Sequence, residues 1–291
     1  MNCPAVIHSA GMGVIAALLA VSPIRGDDAA TISAAKTDAN GVLVHDVRSP
    51  YQAKATQIRV LLPGKREKGK TYPVVYVLPV EAGTEHRYGN GLDEVRTLDL
   101  HNTHGAIFVA PTFAHLPWYA DHPTRPELRQ ETDFVKVVVP FIDTHYPVRP
   151  GAEGRLLLGF SKSGWGAWSL LLRHPERFHK AAAWDAPLML DKPGKYGSGE
   201  IFGTPENFDR YRVSLLLENS AATLKPGKRL ILLGEGNFRA EHERVHALME
   251  KRKIPHEYRD GPRRKHDWHS GWVKDAVEIL LDDWKSPRPP S

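Results

Sequence analysis

Three clusters of residues could carry chemistry. At 156–167 the chain reads L-L-L-G-F-S-K-S-G-W-G-A, an apolar run ending at Ser161 with glycines at 159, 164 and 166. This approximates the G-x-S-x-G elbow. There, small residues two before and two after a serine let a strand turn sharply into a helix and leave the hydroxyl exposed. Ser163 stands where glycine is usual, so the turn is expected to carry more strain. Lys162 follows Ser161, and its N–H is expected to face an oxyanion at the helix start. The competing reading is a plain turn with a capping serine. The second cluster is His266 in H-D-W, in a loop after Gly261 and Pro262, with His269 as a rival three residues on. Such a loop lies at the carboxyl end of a strand, where α/β sheets gather their ligands. The third is H-E-R-V-H at 242–246, a literal H-E-x-x-H. On a helix it would offer two imidazoles to zinc, with Glu243 as base. Val245, Leu248 and Met249 define the buried stripe of that helix, so a solvated face is expected and a zinc metalloprotease is the remote alternative. No metal and no cofactor are expected.

These residues sit among alternating strands and helices. Two β-branched strands, 41–49 and 56–63, are separated by Pro50 and predict a hairpin. Near-continuous apolar runs at 72–80 and 106–113 predict strands buried on both faces. Further strands are expected at 155–161, 180–184, 229–234 and 256–259. Helical spacing marks 131–146 (with Pro140 as a kink), 164–173, 240–253 and 272–284. Strand–helix alternation over this span means an α/β fold with a mostly parallel sheet and helices on both faces.

The segment 159–178, G-F-S-K-S-G-W-G-A-W-S-L-L-L-R-H-P-E-R-F, resembles the putative-esterase family of α/β-hydrolases. That family includes esterase D, feruloyl and acetyl xylan esterases, enterochelin esterases and mycolyltransferases. The likeness continues through A-P-T-F and W-Y-A-D within 110–121, P-F-I-D-T-H-Y-P at 140–147, I-P-H-E-Y-R at 254–259 and H-D-W at 266–268. The resemblance implies an α/β-hydrolase fold, Ser161 as nucleophile and His266 as general base. Serine before histidine is the hydrolase order, not the chymotrypsin order. It also implies an aspartate in the loop after the seventh strand, where this chain has Asn237 within G-E-G-N-F. Asparagine can orient an imidazole but supplies no charge to an imidazolium. Asp185, ending the sixth strand, is the expected acid, with Asn237 as an orienting residue and Glu235 a third candidate. The family's H-G-G-like turn is replaced by L-P-V-E-A-G at 78–83, so the oxyanion is expected to meet backbone N–H groups of Lys162 and of Val80 or Glu81. A carboxylate at Glu81 would oppose an oxyanion unless paired or turned away.

The expected activity is therefore serine carboxylic-ester hydrolysis through an acyl-enzyme, on acylated carbohydrate or aromatic acyl esters. The alternatives are an acyltransferase and a non-catalytic binding protein with a degenerate site. Trp118, Tyr119, Trp165, Trp168, Trp184 and Trp268 are either core or the walls of an acyl pocket. Arg263, Arg264 and Lys265 either are solvated or attract acidic or glycan-linked substrates.

Composition removes other classes. The 291 residues carry one cysteine and a formal net charge of +5. A lone thiol forms no internal disulfide and no four-cysteine zinc site. The charge is mild and forms no basic stripe with aromatic platforms, so no nucleic-acid partner is expected. Residues 11–22 form a 12-residue apolar run, shorter than a membrane span and suited to a signal-peptide core. Residues 1–26 are thus expected to be a signal peptide carrying Cys3 away, giving a secreted or periplasmic protein with no stable membrane insertion after processing. The remaining divisions are a flexible linker over 27–40, one hydrolase domain over 41–286 and a frayed tail over 287–291.

Overall fold

A computed structural model describes residues 1, 29–220, 224 and 227–284. The expected signal peptide, the first two linker residues and the tail at 287–291 lie outside the described residues, apart from residue 1.

The strands are β1 (Thr31–Ile32), β2 (Lys36–Thr37), β3 (Leu43–Arg48), β4 (Thr56–Leu61), β5 (Val74–Val77), β6 (Ile107–Pro111), β7 (Arg155–Phe160), β8 (Lys180–Trp184), β9 (Leu230–Glu235) and β10 (His256–Arg263). They form one sheet in the order β1-β3-β4-β6-β5-β7-β8-β9-β10, with β2 also on β3. Pairing is antiparallel from β1 to β6 and parallel from β6 through β5 to β10. The hairpin and the mostly parallel core match the alternation in the sequence, and the fold is that of an α/β-hydrolase.

The apolar runs form central strands because both faces are covered. Val74 and Tyr76 of β5 enter one hydrophobic cluster, and Val75 and Val77 the other. Helix α1 (Gly91–Thr97) and helix α6 (Trp272–Leu280) pack their apolar residues into the second cluster. Helix α3 (Ser161–Arg173) sends Trp165, Trp168, Leu171 and Leu172 into the first. Helix α4 (Val213–Ser220) contributes Val213 and Leu217, and helix α5 (Arg239–Arg252) contributes Val245 and Met249.

Several expectations change. The linker is not structureless throughout: Thr31–Ile32 and Lys36–Thr37 pair with β3, and the Ser33 N–H donates to the Asp46 carbonyl at 2.9 Å. An edge strand with unpaired backbone groups accepts such short polar segments. Helix α2 runs through Gln130–Asp133, a π segment Phe134–Val138, and Val139–His145. Where Pro140 predicted a kink, the ladder shifts to i→i+5 just upstream, with the Val139 N–H bonded to the Phe134 carbonyl. The last helix ends at Leu280, and Asp282–Trp284 form a separate 3-10 turn. Strand β10 runs on through Gly261 and Pro262 with a register shift rather than stopping at Arg259. Among the described residues, no helix is long and apolar enough to cross a membrane.

Candidate active site

β7 delivers Ser161 to the carboxyl edge of the sheet, and α3 begins at that residue. Ser161 has φ 53°, the left-handed region that non-glycine residues rarely occupy. The strain therefore sits at Ser161, not at Ser163. A Cβ on Gly159 would lie 2.1 Å from the Ser163 carbonyl oxygen, so the turn closes only over glycine. Gly164 packs against Ala183 and Ala186, and Gly166 against the Tyr119 ring, with no room for a side chain. Ser163 is fully buried and satisfied: its hydroxyl donates to the Phe160 carbonyl at 2.9 Å and accepts from the Phe160 N–H at 3.0 Å.

His266 Nε2 lies 3.1 Å from Ser161 Oγ, and its Nδ1 lies 2.6 Å from Asp185 Oδ2. Asp185 follows β8 with φ 41° and is fully buried. Its Oδ1 accepts the Phe238 N–H at 2.7 Å, and the Asn237 N–H also donates to this carboxylate. Burial alone would raise its pKa. The His266 ring N–H and the two backbone N–H groups outweigh burial and hold the carboxyl below its ordinary value. An ionised acid here fixes the Nδ1–H tautomer of His266 and leaves Nε2 facing the serine as an acceptor.

The structure thus brings Ser161, His266 and Asp185 into one hydrogen-bonded chain. It does not give Asn237 the expected orienting role. Both ring nitrogens of His266 are taken by Ser161 and Asp185, and the Asn237 side chain is exposed on the wall of the cleft. Its backbone contributes instead, because the loop after β9 wraps over Asp185. Gly236 must be glycine there, since a Cβ would fall 2.3 Å from Asp185 Oδ2. Glu235 ends β9. His269 is elsewhere, with Nδ1 2.6 Å from Glu94 Oε2.

His242 does not lie on a solvated face. It is buried, and its Nε2 accepts the Ala186 N–H at 3.0 Å. Burial pulls its pKa down to about 4, so the ring is neutral and buttresses the turn carrying Asp185. The expected solvated stripe holds for Glu243, which is exposed and ion-paired with Arg239 at 2.8 Å. His242 and His246 share no cluster of ligand atoms among the described residues, so the H-E-x-x-H zinc arrangement is not formed.

The Ser161 hydroxyl opens on a cleft of about 670 Å³ lined by Glu81, Arg87, Tyr88, Leu116, Lys162, Tyr196, Phe238 and His266, among others. The six aromatic residues singled out from sequence are all buried and serve as core. Tyr88, Tyr196 and Phe238 line the cleft in their place, and sequence reasoning missed them because they lie in loops without periodicity. The Tyr88 ring meets His266 edge-on at 5.3 Å, and its carbonyl accepts the Trp268 N–H at 2.9 Å, tying the two loops together. Arg264 is bound to Asp275 at 2.7 Å, so the charges on the cleft wall are instead Arg87, Lys162, Glu81 and Glu85. Burial lowers the Lys162 pKa; the Glu81 carboxylate opposes that shift and Arg87 adds to it. Glu81 Oε2 accepts the Tyr88 N–H at 3.2 Å, which orients this carboxylate, and its charge acts on the nearby Lys162. Val80 is buried in the turn after β5, which the Tyr119 hydroxyl anchors by donating to the Pro79 carbonyl at 2.6 Å. The Lys162 N–H, in the first turn of α3, has no intrahelical acceptor.

Known proteins share this architecture. An S-formylglutathione hydrolase from Agrobacterium tumefaciens superposes with a TM-score of 0.68 at 16% identity, covering 86% of this chain and 98% of that one. The fluorophosphonate-binding serine hydrolase FphF of Staphylococcus aureus gives 0.67 at 15%, covering 86% and 99%. A ferulic acid esterase gives 0.65 at 22%, covering 86% and 97%. In sequence, the Mycobacterium tuberculosis protein named Esterase Rv1288 is 23% identical over 235 residues, 70% of this chain and 51% of that protein. The chain spans about half the length of the curated relatives it matches. The model of the Putative esterase family matches residues 49–282, and the chain belongs to that family.

Proposed function

We propose that the protein is a serine ester hydrolase. The supporting observation is the unbroken chain from Ser161 through His266 to a buried, charged Asp185. In this reading Ser161 Oγ attacks the ester carbonyl while His266 Nε2 takes its proton. Asp185 stabilises the imidazolium that forms, and His266 returns the proton to the leaving alcohol. Backbone N–H groups of Lys162 and of Val80 or Glu81 hold the oxyanion. Water, activated by the same histidine, then releases the acid. Export to the periplasm or medium is also proposed, on the apolar run at 11–22; the N-terminus of protein recovered from that fraction would begin near residue 27.

The Tyr88, Tyr196, Phe238 and Leu116 walls favour an acyl group with an apolar or aromatic body. Esters of aromatic acids, including those on carbohydrate, fit that lining. A fluorophosphonate probe should label Ser161 in the folded protein, with modification of its peptide seen by mass spectrometry. Ser161→Ala should abolish both labelling and hydrolysis of p-nitrophenyl and feruloyl esters. Folded protein that neither labels nor hydrolyses would favour a non-catalytic binding role.

A further inference from the structure

At the other end of β10 two histidines meet. His246 and Glu250 lie four residues apart on α5, so they share one face of the helix. Lys253, at φ 56°, closes that helix and turns the chain back, bringing His256 at the start of β10 onto the same face. His246 Nδ1 lies 2.8 Å from His256 Nε2, and Glu250 Oε1 lies 3.7 Å from that Nε2. One ligand atom from each of the three falls within 4.8 Å of the others.

The protonation pattern favours a ligand. His256 Nδ1 lies 2.8 Å from the Ile254 carbonyl oxygen, which only accepts, so Nδ1 carries the proton and Nε2 presents its lone pair. A backbone carbonyl fixing the far nitrogen is the support that metal-ligating histidines commonly use. The His246 ring is held by stacking on Tyr258, with centroids 4.1 Å apart. Without an ion, His246 Nδ1 must donate to His256 Nε2; moving that proton to His246 Nε2 frees both lone pairs.

We propose that His246, Glu250 and His256 form a binding site for Zn²⁺. Two imidazoles and a carboxylate make a mixed nitrogen and oxygen donor set, which suits zinc rather than the all-oxygen shells of calcium or magnesium. Ligand bonds of about 2.1 Å in a tetrahedron separate donors by about 3.4 Å. The histidines would therefore part by about half an ångström, and the exposed Glu250 would swing inward. Glu250 is exposed, so the site is open to solvent on its side. The ion would clamp edge strand β10 to α5.

This site is remote from the cleft. His256 pairs with Leu230 at the start of β9, whereas the loop over Asp185 follows its end. At about 3.3 Å per residue the two lie about 20 Å apart along the sheet. The proposal stands whether or not Ser161 is a nucleophile, because its readout is metal binding.

The test is equilibrium dialysis of untagged, chelator-treated full chain against Zn²⁺, with Co²⁺ absorption reporting ligand geometry. The expected result is one Zn²⁺ per chain, a tetrahedral Co²⁺ spectrum, and a thermal midpoint that rises with zinc. Glu250→Gln and His246→Gln should each weaken binding at least tenfold and leave ester hydrolysis unchanged. Glu250 is exposed, so its variant tests the site without threatening the fold. Absence of stoichiometric binding, or binding undiminished in both variants, overturns the proposal.

Discussion

Asp185→Asn isolates the charge of the acid from its shape. The side chain is fully buried and accepts the Phe238 N–H, a bond that the asparagine carbonyl can keep. Two things are lost. The first is attraction between carboxylate and imidazolium. Across a 2.6 Å contact the charge centres lie about 4 Å apart, worth about 4 kcal/mol at an effective dielectric of 20. At 1.36 kcal/mol per decade that is about a thousandfold in rate. The second is the tautomer: an asparagine N–H facing Nδ1 favours a proton on Nε2, where the base must be empty. Together they predict a fall in kcat of about three to four decades, in line with such changes in other serine enzymes. KM should change little, since Asp185 does not line the cleft. The assay is p-nitrophenyl acetate hydrolysis with active-site titration, alongside a thermal melt showing the variant folded. A folded variant within tenfold of the parent would refute the assignment. Asn237→Ala, which removes only an exposed side chain, should stay within that tenfold.

Ser163→Ala removes the hydroxyl that both donates to and accepts from Phe160, so it should cost about 1–3 kcal/mol in urea unfolding while kcat falls only severalfold. Gly159→Ala should cost more, since its Cβ meets backbone and not a flexible side chain; a variant as stable as the parent would contradict the close strand–helix approach. Burial pushes Asp133 up to about 6, with the Ser49 hydroxyl opposing and the Asp121 carboxylate adding to the rise. Its folded pKa exceeds the unfolded value, so its contribution is full below the unfolded pKa and is lost as pH rises through 6. The loss is about 3 kcal/mol in all, of which about 1 kcal/mol should return between pH 7 and pH 5. Asp133→Asn should remove that part of the pH dependence, and an unchanged slope would exclude Asp133 as its source.

The central strands were legible because burial on both faces forces near-continuous apolar runs, as at 72–80 and 155–161. The elbow was legible because its glycines answer a local steric demand. Asp185 was harder: two loops were eligible for the acid, and only the meeting of β8 and β9 at the carboxyl edge separates them. β1 and β2 left no pattern, since their bonds go to a distant edge strand through backbone groups that every residue carries. Helical spacing places His242 beside the apolar stripe and so predicts a solvated ring, whereas the structure buries it. The turn after β8 widens the buried face there and offers the Ala186 N–H as a partner. The cation site needed His256 from across a turn, which spacing along a helix does not reveal.

The loop after β9 supports the acid with backbone rather than with a carboxylate of its own. Its shape and its side chains are therefore separable traits. Gly236 is held by contact with Asp185, while the neighbouring Asn237 side chain faces the cleft with no part in the proton relay. Position 237 is thus a place where substrate preference can drift, or be redesigned, without passing through an inactive intermediate.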